Sequence, residues 1–271
     1  MNWPVFNHEA MATTFSIHVA GATEEYARQA TAAAFRELDR LEGELSRYLA
    51  TSDIARINQL RAGGQVVLGE DALQCLLGAA QISAITDRAF DPAYATPRPV
   101  GSDEALFALN PATHTLTALC DGLHLDLGAV GKGYALDRMA EVLTEWDLPS
   151  ACLQSGGSTA LALAPPPDAA GWPIGVADTV HLFAHRAVSG SGLAVQGEHL
   201  IDPRNRAPAQ RKRRVWAFAE TAADSDALST AFFVLTDAQV IAFCQQYPAY
   251  GAVLTLADGT AQTLGTIGDR E

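Results

Sequence analysis

The sequence predicts an α+β fold, with mixed, mainly antiparallel sheets packed against helices. Apolar residues recur at helical spacing in a few long stretches and crowd into many short, β-branched ones. The two kinds mix without the regular βαβ repeat that a parallel sheet requires. With 48% hydrophobic and 18% charged residues over 271 positions, the chain can bury a substantial core, as one domain over 1–271 or as two closely packed subdomains.

Residues 13–20 are rich in Thr, Phe, Ile and Val and close on Gly21, which reads as a strand. Thr23 then caps a helix with Glu24 and Glu25 in its first turn, and Ala30, Ala34, Leu38, Leu41 and Leu45 mark its buried face. Ser52 to Asn58 reads as a capped helical turn. A helix follows Glu70-Asp71 and carries Leu73, Leu76, Leu77, Ala80 and Ile85. A third runs from about Gly133 to Trp146. A fourth runs from Ser225 to Tyr247, burying Leu228, Phe232, Leu235 and Ala242. Strand candidates lie at 115–119, 123–127, 151–154, 158–163, 173–176, 186–189, 214–220 and 251–256. The prolines of 92–102 and 165–167 mark breaks, since proline cannot donate to a central ladder.

A net charge of -13 argues against nucleic acid or an anionic membrane as main partner. Against that background, Arg204, Arg206, Arg211, Lys212, Arg213 and Arg214 form a basic run, read either as a solvated loop or as phosphate contacts. Cys75, Cys120, Cys152 and Cys244 have neither zinc-site nor disulfide-framework spacing and read as free thiols. The N-terminus lacks a basic segment followed by an apolar one, and no run reaches the ~18 apolar residues of a membrane span. The chain as given is expected in the cytoplasm, or in the periplasm if a signal segment was removed.

Two segments carry most of the chemical information. Asp126-Leu127-Gly128-Ala129-Val130-Gly131-Lys132-Gly133-Tyr134 passes from an apolar stretch through a glycine turn into a helix. Phosphate sites are often built this way, because glycine lets the backbone approach an anion and a helix start offers unpaired N–H groups. Asp224-Ser225-Asp226-Ala227-Leu228-Ser229-Thr230 puts Asp226 and Thr230 on one helical face, an oxygen pair suited to a hard cation such as magnesium. The plainer reading of Asp226 is a carboxylate that stabilises a helix N-terminus. Gly156-Gly157 and Ser189-Gly190 place glycine at strand ends. In His199-Leu200-Ile201-Asp202-Pro203-Arg204, His199 can exchange a proton near neutral pH, or it can simply cap the Asp202-Pro203 turn.

The order of these pieces resembles the ApbE family of FAD:protein FMN transferases. The likeness runs through Met11 to Phe15, Ser52 to Asn58, Phe90-Asp91-Pro92, Asp126 to Asp137, Gly156-Gly157, Ser189-Gly190, His199 to Arg204 and Asp226 to Ala231. It implies an enzyme that transfers FMN from FAD to a threonine or serine of an acceptor protein through a phosphoester bond, with Mg2+ required and AMP released. It further implies that Met11, Thr14, Asp91, Lys132, Gly133, Asp137, Gly156, Gly157, Ser189 and Asp202 contribute to FAD binding, with the diphosphate near Lys132 and Gly133 and the isoalloxazine toward Met11 to Phe15. Asp226, Thr230 and the Gly131 carbonyl would hold the metal, and His199 would activate the acceptor hydroxyl. Four positions depart from the family pattern: Gly131 stands where alanine is usual, Ser158 where aspartate or asparagine is, and Asn205-Arg206 where a Thr-Gly pair is. The segment after Asp91-Pro92 is also short. An FAD pyrophosphatase releasing free FMN and AMP, or a non-catalytic FAD-binding protein, are the alternatives.

Overall fold

A computed structural model describes residues 3–191, 201–209, 214–255 and 259–268. The chain opens with a hairpin of β1 (Val5–Ala10) and β2 (Thr13–Val19), whose turn holds Met11 and Ala12 at positive φ, 49° and 58°. Next come α1 (Glu24–Leu45), α2 (Asp53–Ile57), β3 (Gln65–Val67), α3 (Glu70–Ile85), β4 (Phe107–Asn110) and β5 (Thr115–Ala118). After α4 (Gly131–Glu145) follow β6 (Ala151–Ser155), β7 (Thr159–Ala162), β8 (Trp172–Val176), β9 (Thr179–Phe183), β10 (Arg186–Ser191) and β11 (Val215–Ala219). The chain ends with α5 (Ala222–Val234), α6 (Asp237–Gln246), β12 (Gly251–Thr255) and β13 (Ala261–Gly265).

Eight strands form one sheet in the order β1-β2-β6-β7-β10-β11-β12-β13, and every neighbouring pair is antiparallel. Strand alternation sorts its side chains onto two faces. Leu153, Leu161, Ala187 and Ala217 join the main core with the helices, whereas Cys152, Ala160, Val188 and Phe218 pack with Trp172, Ile174 and Phe183 of the β8–β9 hairpin on the other face. A small sheet, β3-β5-β4, is separate.

The caps explain where the helices start. Thr23 accepts the Tyr26 N–H at the head of α1, and Ser52 accepts the Ala55 N–H at α2. At α5, Thr221 accepts the Asp224 N–H, while Asp137 reaches over from α4 to accept those of Ala222 and Ala223 at 2.7 and 2.8 Å.

Two expected elements are corrected. The helix read over 225–247 is two helices, α5 and α6, broken at the extended Leu235. Thr236 and Gln239 form a capping box there, and this local closure overrides an apolar spacing that runs straight through. The stretch 123–127 is not a strand. Its backbone is satisfied by loops instead, with the Asn58 amide bonding both the N–H and C=O of Leu125 at 2.7 and 2.9 Å, and Asp126 N–H donating to the Pro92 carbonyl. The sequence reading also missed β1, β3, β4, β9 and β13, several of them short or largely exposed. All four cysteines are free. Among the described residues no helix is long and apolar enough to cross a membrane.

Candidate active site

The segment from Asp126 to Lys132 forms the wall between two adjoining cavities. The larger, about 340 Å3, lies between Phe90, Asp91 and Tyr94 on one side and Ile201, Pro203 and Thr230 on the other. The smaller, about 160 Å3, is lined by Met11, Glu42, Arg47, Tyr48 and Gly131. Asp126, Gly128 and Lys132 line both, so the two are lobes of one elongated cleft. Such a shape takes an extended ligand with a polar middle, and Lys132 supplies positive charge at its waist.

Local bonds fix each wall. Met11 is held by its N–H to Glu42 Oε1 at 2.9 Å. Lys132 Nζ reaches back one turn to the Gly128 carbonyl at 2.5 Å. Asp126 accepts the Gly128 N–H at 2.9 Å and lies 3.4 Å from Arg47 Nε, while the Arg47 guanidinium stacks 4.5 Å above the exposed Tyr48 ring. Asp91 pairs with Arg98, both side chains nearly buried, and accepts the Ala93 N–H. Asp202 is gripped by Arg204 through Nε and Nη2, each at 2.9 Å. Burial alone would raise the Asp202 pKa, but these Arg204 bonds hold it below the usual carboxylate value.

Asp226 and Thr230 lie four residues apart on one face of α5, and of the two Thr230 lines the larger lobe while Asp226 is buried behind it. The Asp226 carboxylate is buried, and among the described residues its bonds are long, 3.3 Å from the Gly133 N–H and 3.4 Å from the Thr159 hydroxyl. Burial pushes its pKa up, opposed by Lys132 and those two donors. A helical threonine can bond the carbonyl four residues back. Here Ser229 Oγ takes the Asp226 carbonyl at 2.9 Å, and Thr230 Oγ1 is buried without a partner among the described residues. An underbonded carboxylate beside an orphaned hydroxyl fits a hard cation. Among the described residues no group of three or more His, Cys, Asp or Glu side chains is placed to hold a metal. A single carboxylate suits magnesium, which often takes its remaining ligands from water and substrate phosphate.

The other expected site residues separate into groups. Gly131 lines the smaller lobe as the first residue of α4. Gly133 is buried against the start of α5. Asp137 caps α5; burial pushes its carboxyl up to about 7, against the pull of the two N–H groups it accepts. Thr14 is exposed on β2 and donates to Glu9. Gly156, with φ at 53°, and Gly157 turn between β6 and β7 and line a different cavity of about 190 Å3, with Gln154, Ser158 and Trp216. Ser189 is fully buried and donates to Thr159 Oγ1 at 3.1 Å. His199, Arg211, Lys212 and Arg213 lie outside the described residues.

The sequence reading passed over Arg47, Tyr48, Tyr94, Arg98 and Thr159. A large aromatic left exposed between two helices was the available signal for Tyr48, whereas Thr159 becomes visible only through strand pairing. Ser189 donates to Thr159, whose hydroxyl in turn faces Asp226 at 3.4 Å, so Thr159 can relay the Ser189 hydroxyl onto that carboxylate. If Asp226 holds Mg2+, Thr159→Val should weaken that binding by about 10–100-fold, the usual loss when a partner of a metal ligand is removed, and Thr159→Ser should restore it. Calorimetric titration with Mg2+ checks this, and unchanged affinity in the valine variant would discount the relay.

Fold and site together define an α+β protein with an elongated, largely apolar cleft that carries Asp126 and Lys132 at its waist, at the start of a glycine-opened helix. The ApbE family model matches residues 11–254, which spans every element that builds the cleft. The chain belongs to the ApbE family. It is 30% identical over 184 residues to the FAD:protein FMN transferase of Treponema pallidum (strain Nichols), an alignment covering 59% of this chain and 51% of that protein. The chain thus spans about half the length of this relative. In fold it is similar to the flavinyl transferase ApbE of Pseudomonas stutzeri in its apo form, at TM-score 0.81 and 22% identity over 97% of this chain and 95% of that one. It is equally similar to the ApbE protein of Thermotoga maritima, at TM-score 0.81 and 23% identity over 96% of both chains.

Proposed function

We propose that this protein transfers FMN from FAD to a serine or threonine hydroxyl of an acceptor protein, with Mg2+ required and AMP released. The observation that carries the reading is the buried Asp226, with long bonds among the described residues, one helical turn from Thr230, which lines a cleft with Lys132 at its waist. The family match and the Treponema pallidum relative's name support the flavin chemistry. FAD lies along the cleft with its diphosphate at Lys132 and one ring system toward Met11 and Tyr48. Asp226, Thr230 and the Gly131 carbonyl hold the cation, which when bound neutralises phosphate oxygen charge. The acceptor oxygen attacks the phosphorus of the FMN half, and the bond from that phosphorus to the bridging oxygen breaks. AMP leaves with that oxygen. The hydroxyl proton passes to the His199 imidazole, which suits a base working near neutral pH.

Incubation with FAD and Mg2+, with and without an acceptor protein, tests this through separation of AMP, FMN and labelled protein. The expected products are AMP and protein-linked FMN in equal amounts, only when acceptor is present. Free FMN with AMP and no labelled protein would identify a pyrophosphatase instead. His199→Ala should keep FAD and Mg2+ affinity while single-turnover AMP release falls about 10²–10⁴-fold, the span usual for a general base.

A further inference from the structure

The larger lobe of the cleft has two walls from distant parts of the chain, and one side chain ties them together. Ile201 and Pro203 belong to a short hairpin closed by the Ile201–Pro208 bridge, and Phe90, Asp91 and Tyr94 belong to the 89–98 segment. Within the hairpin, Arg206 has φ at 60°, in the left-handed region where glycine is the default. Its N–H closes the turn on the Asp202 carbonyl at 2.8 Å. Its guanidinium crosses to the opposite wall and donates to the Thr96 carbonyl at 2.9 Å. That carbonyl belongs to an anchored residue. Thr96 is fully buried, and its hydroxyl accepts the His124 N–H at 2.9 Å and lies 3.3 Å from the His124 carbonyl. The stretch beginning at His124 continues to Asp126, whose N–H is held by the Pro92 carbonyl and whose side chain lines both lobes.

A strained backbone at a non-glycine residue persists where the side chain or its surroundings over-determine it. Here a charged donor on a buried, fixed carbonyl does so, and a charge-assisted bond is stronger than a neutral one. We infer that Arg206 is a positioning residue that latches the 201–208 hairpin onto the 89–98 segment and so sets the width of the FAD cleft. This rests on the reading of the cleft as the FAD site. The latch acts on binding and not on the phosphoryl-transfer step, because it touches neither the Asp226–Thr230 pair nor Lys132.

Arg206→Gly removes the latch and relieves the left-handed strain together, so global stability has opposing contributions and should hold. Flavin titration should show the Kd for FAD rising about tenfold, the size expected from losing one bond to a charged group. KM for FAD should rise in parallel while kcat changes by less than about twofold, since an interaction equal in ground and transition states moves KM alone. Amide exchange over 201–208 should quicken in the FAD-free protein, and the calorimetric Mg2+ affinity should stay as in the unaltered protein. Arg206→Lys, which can still place a cation near the Thr96 carbonyl, should recover part of the FAD affinity. Unchanged FAD affinity in Arg206→Gly overturns the inference, whether or not exchange over 201–208 quickens. A fall in kcat with KM unchanged overturns it as well. Failure of the unaltered protein to bind FAD at any Mg2+ concentration overturns the flavin reading and the inference with it, and that control separates the two failures.

Discussion

Replacing Asp226 with asparagine should remove Mg2+-dependent turnover, a loss of about 10³-fold or more if the cation supplies the several kcal/mol typical of charge neutralisation at phosphate. The carboxylate is buried, and its two donors stand at 3.3 and 3.4 Å, too far to offset the desolvation of an ionised group. The plainer role, stabilising the N-terminus of α5, is already filled: Thr221 and Asp137 satisfy the Ala222, Ala223 and Asp224 N–H groups. The pH dependence has a definite sign. Because burial raises the Asp226 pKa in the fold, its contribution to the stability of the metal-free protein is fully present below the unfolded value of about 3.9 and is lost as pH rises through the raised folded value. Mg2+ binds the ionised form, so the stabilisation it confers should grow over that same rise. At a hundred times its Kd it should add about 2.7 kcal/mol, or roughly 5 °C in Tm. The asparagine variant should show no Mg2+ shift at any pH and should be no less stable than the metal-free parent at neutral pH. Thr230→Val should weaken Mg2+ binding without lowering the metal-free Tm, since it deletes a hydroxyl that has no partner to lose. Melting curves with and without Mg2+ at two pH values, run beside turnover assays, check all of this. An Asp226→Asn protein that keeps its Mg2+ shift would end the metal assignment.

What could be read from the sequence was what is local. The Asp226–Thr230 pair, the glycine turn into α4 and the Thr23 and Ser52 caps each lie within a few residues, so periodicity and capping chemistry expose them. The break between α5 and α6 was local too. Thr236 and Gln239 spell a capping box, but apolar residues keep helical spacing across it and mask the break. Other parts depend on strand order and helix docking. Thr159 reaches Asp226 only because β7 pairs with β10 beneath α5, and Asp137 caps a helix 85 residues away. Gly156 and Gly157 look from sequence like partners of the Asp126–Lys132 turn, yet the sheet carries them to a different cavity.

Two glycines of α4, only two positions apart, should respond to alanine with opposite sign. A Cβ on Gly133 would sit 2.2 Å from the Ala222 carbonyl oxygen and 2.8 Å from the Ala223 nitrogen, both backbone atoms that cannot swing aside. The start of α5 would have to move off α4. That motion would stretch the Asp137 bonds to Ala222 and Ala223 and the Gly133 bond to Asp226. Overpacking costs about 1–3 kcal/mol and loss of a helix cap about 0.5–2 kcal/mol more, against a gain of at most about 1 kcal/mol from alanine's helix preference. Gly133→Ala should therefore lose about 0.5–5 kcal/mol net, a fall of roughly 1–9 °C in Tm, and weaken Mg2+ binding through the displaced Asp226. At Gly131 the added Cβ would meet only Leu127 Cβ at 3.6 Å, an ordinary contact. Gly131→Ala should be neutral or gain about 0.4–1 kcal/mol by restricting the unfolded chain, and it keeps the carbonyl assigned to the metal. Thermal melts of the two single variants, with Mg2+ titrations on each, decide the matter. Equal effects of the two substitutions would mean that the close approach of α4 to α5 at Gly133 is not what fixes Asp226 in place.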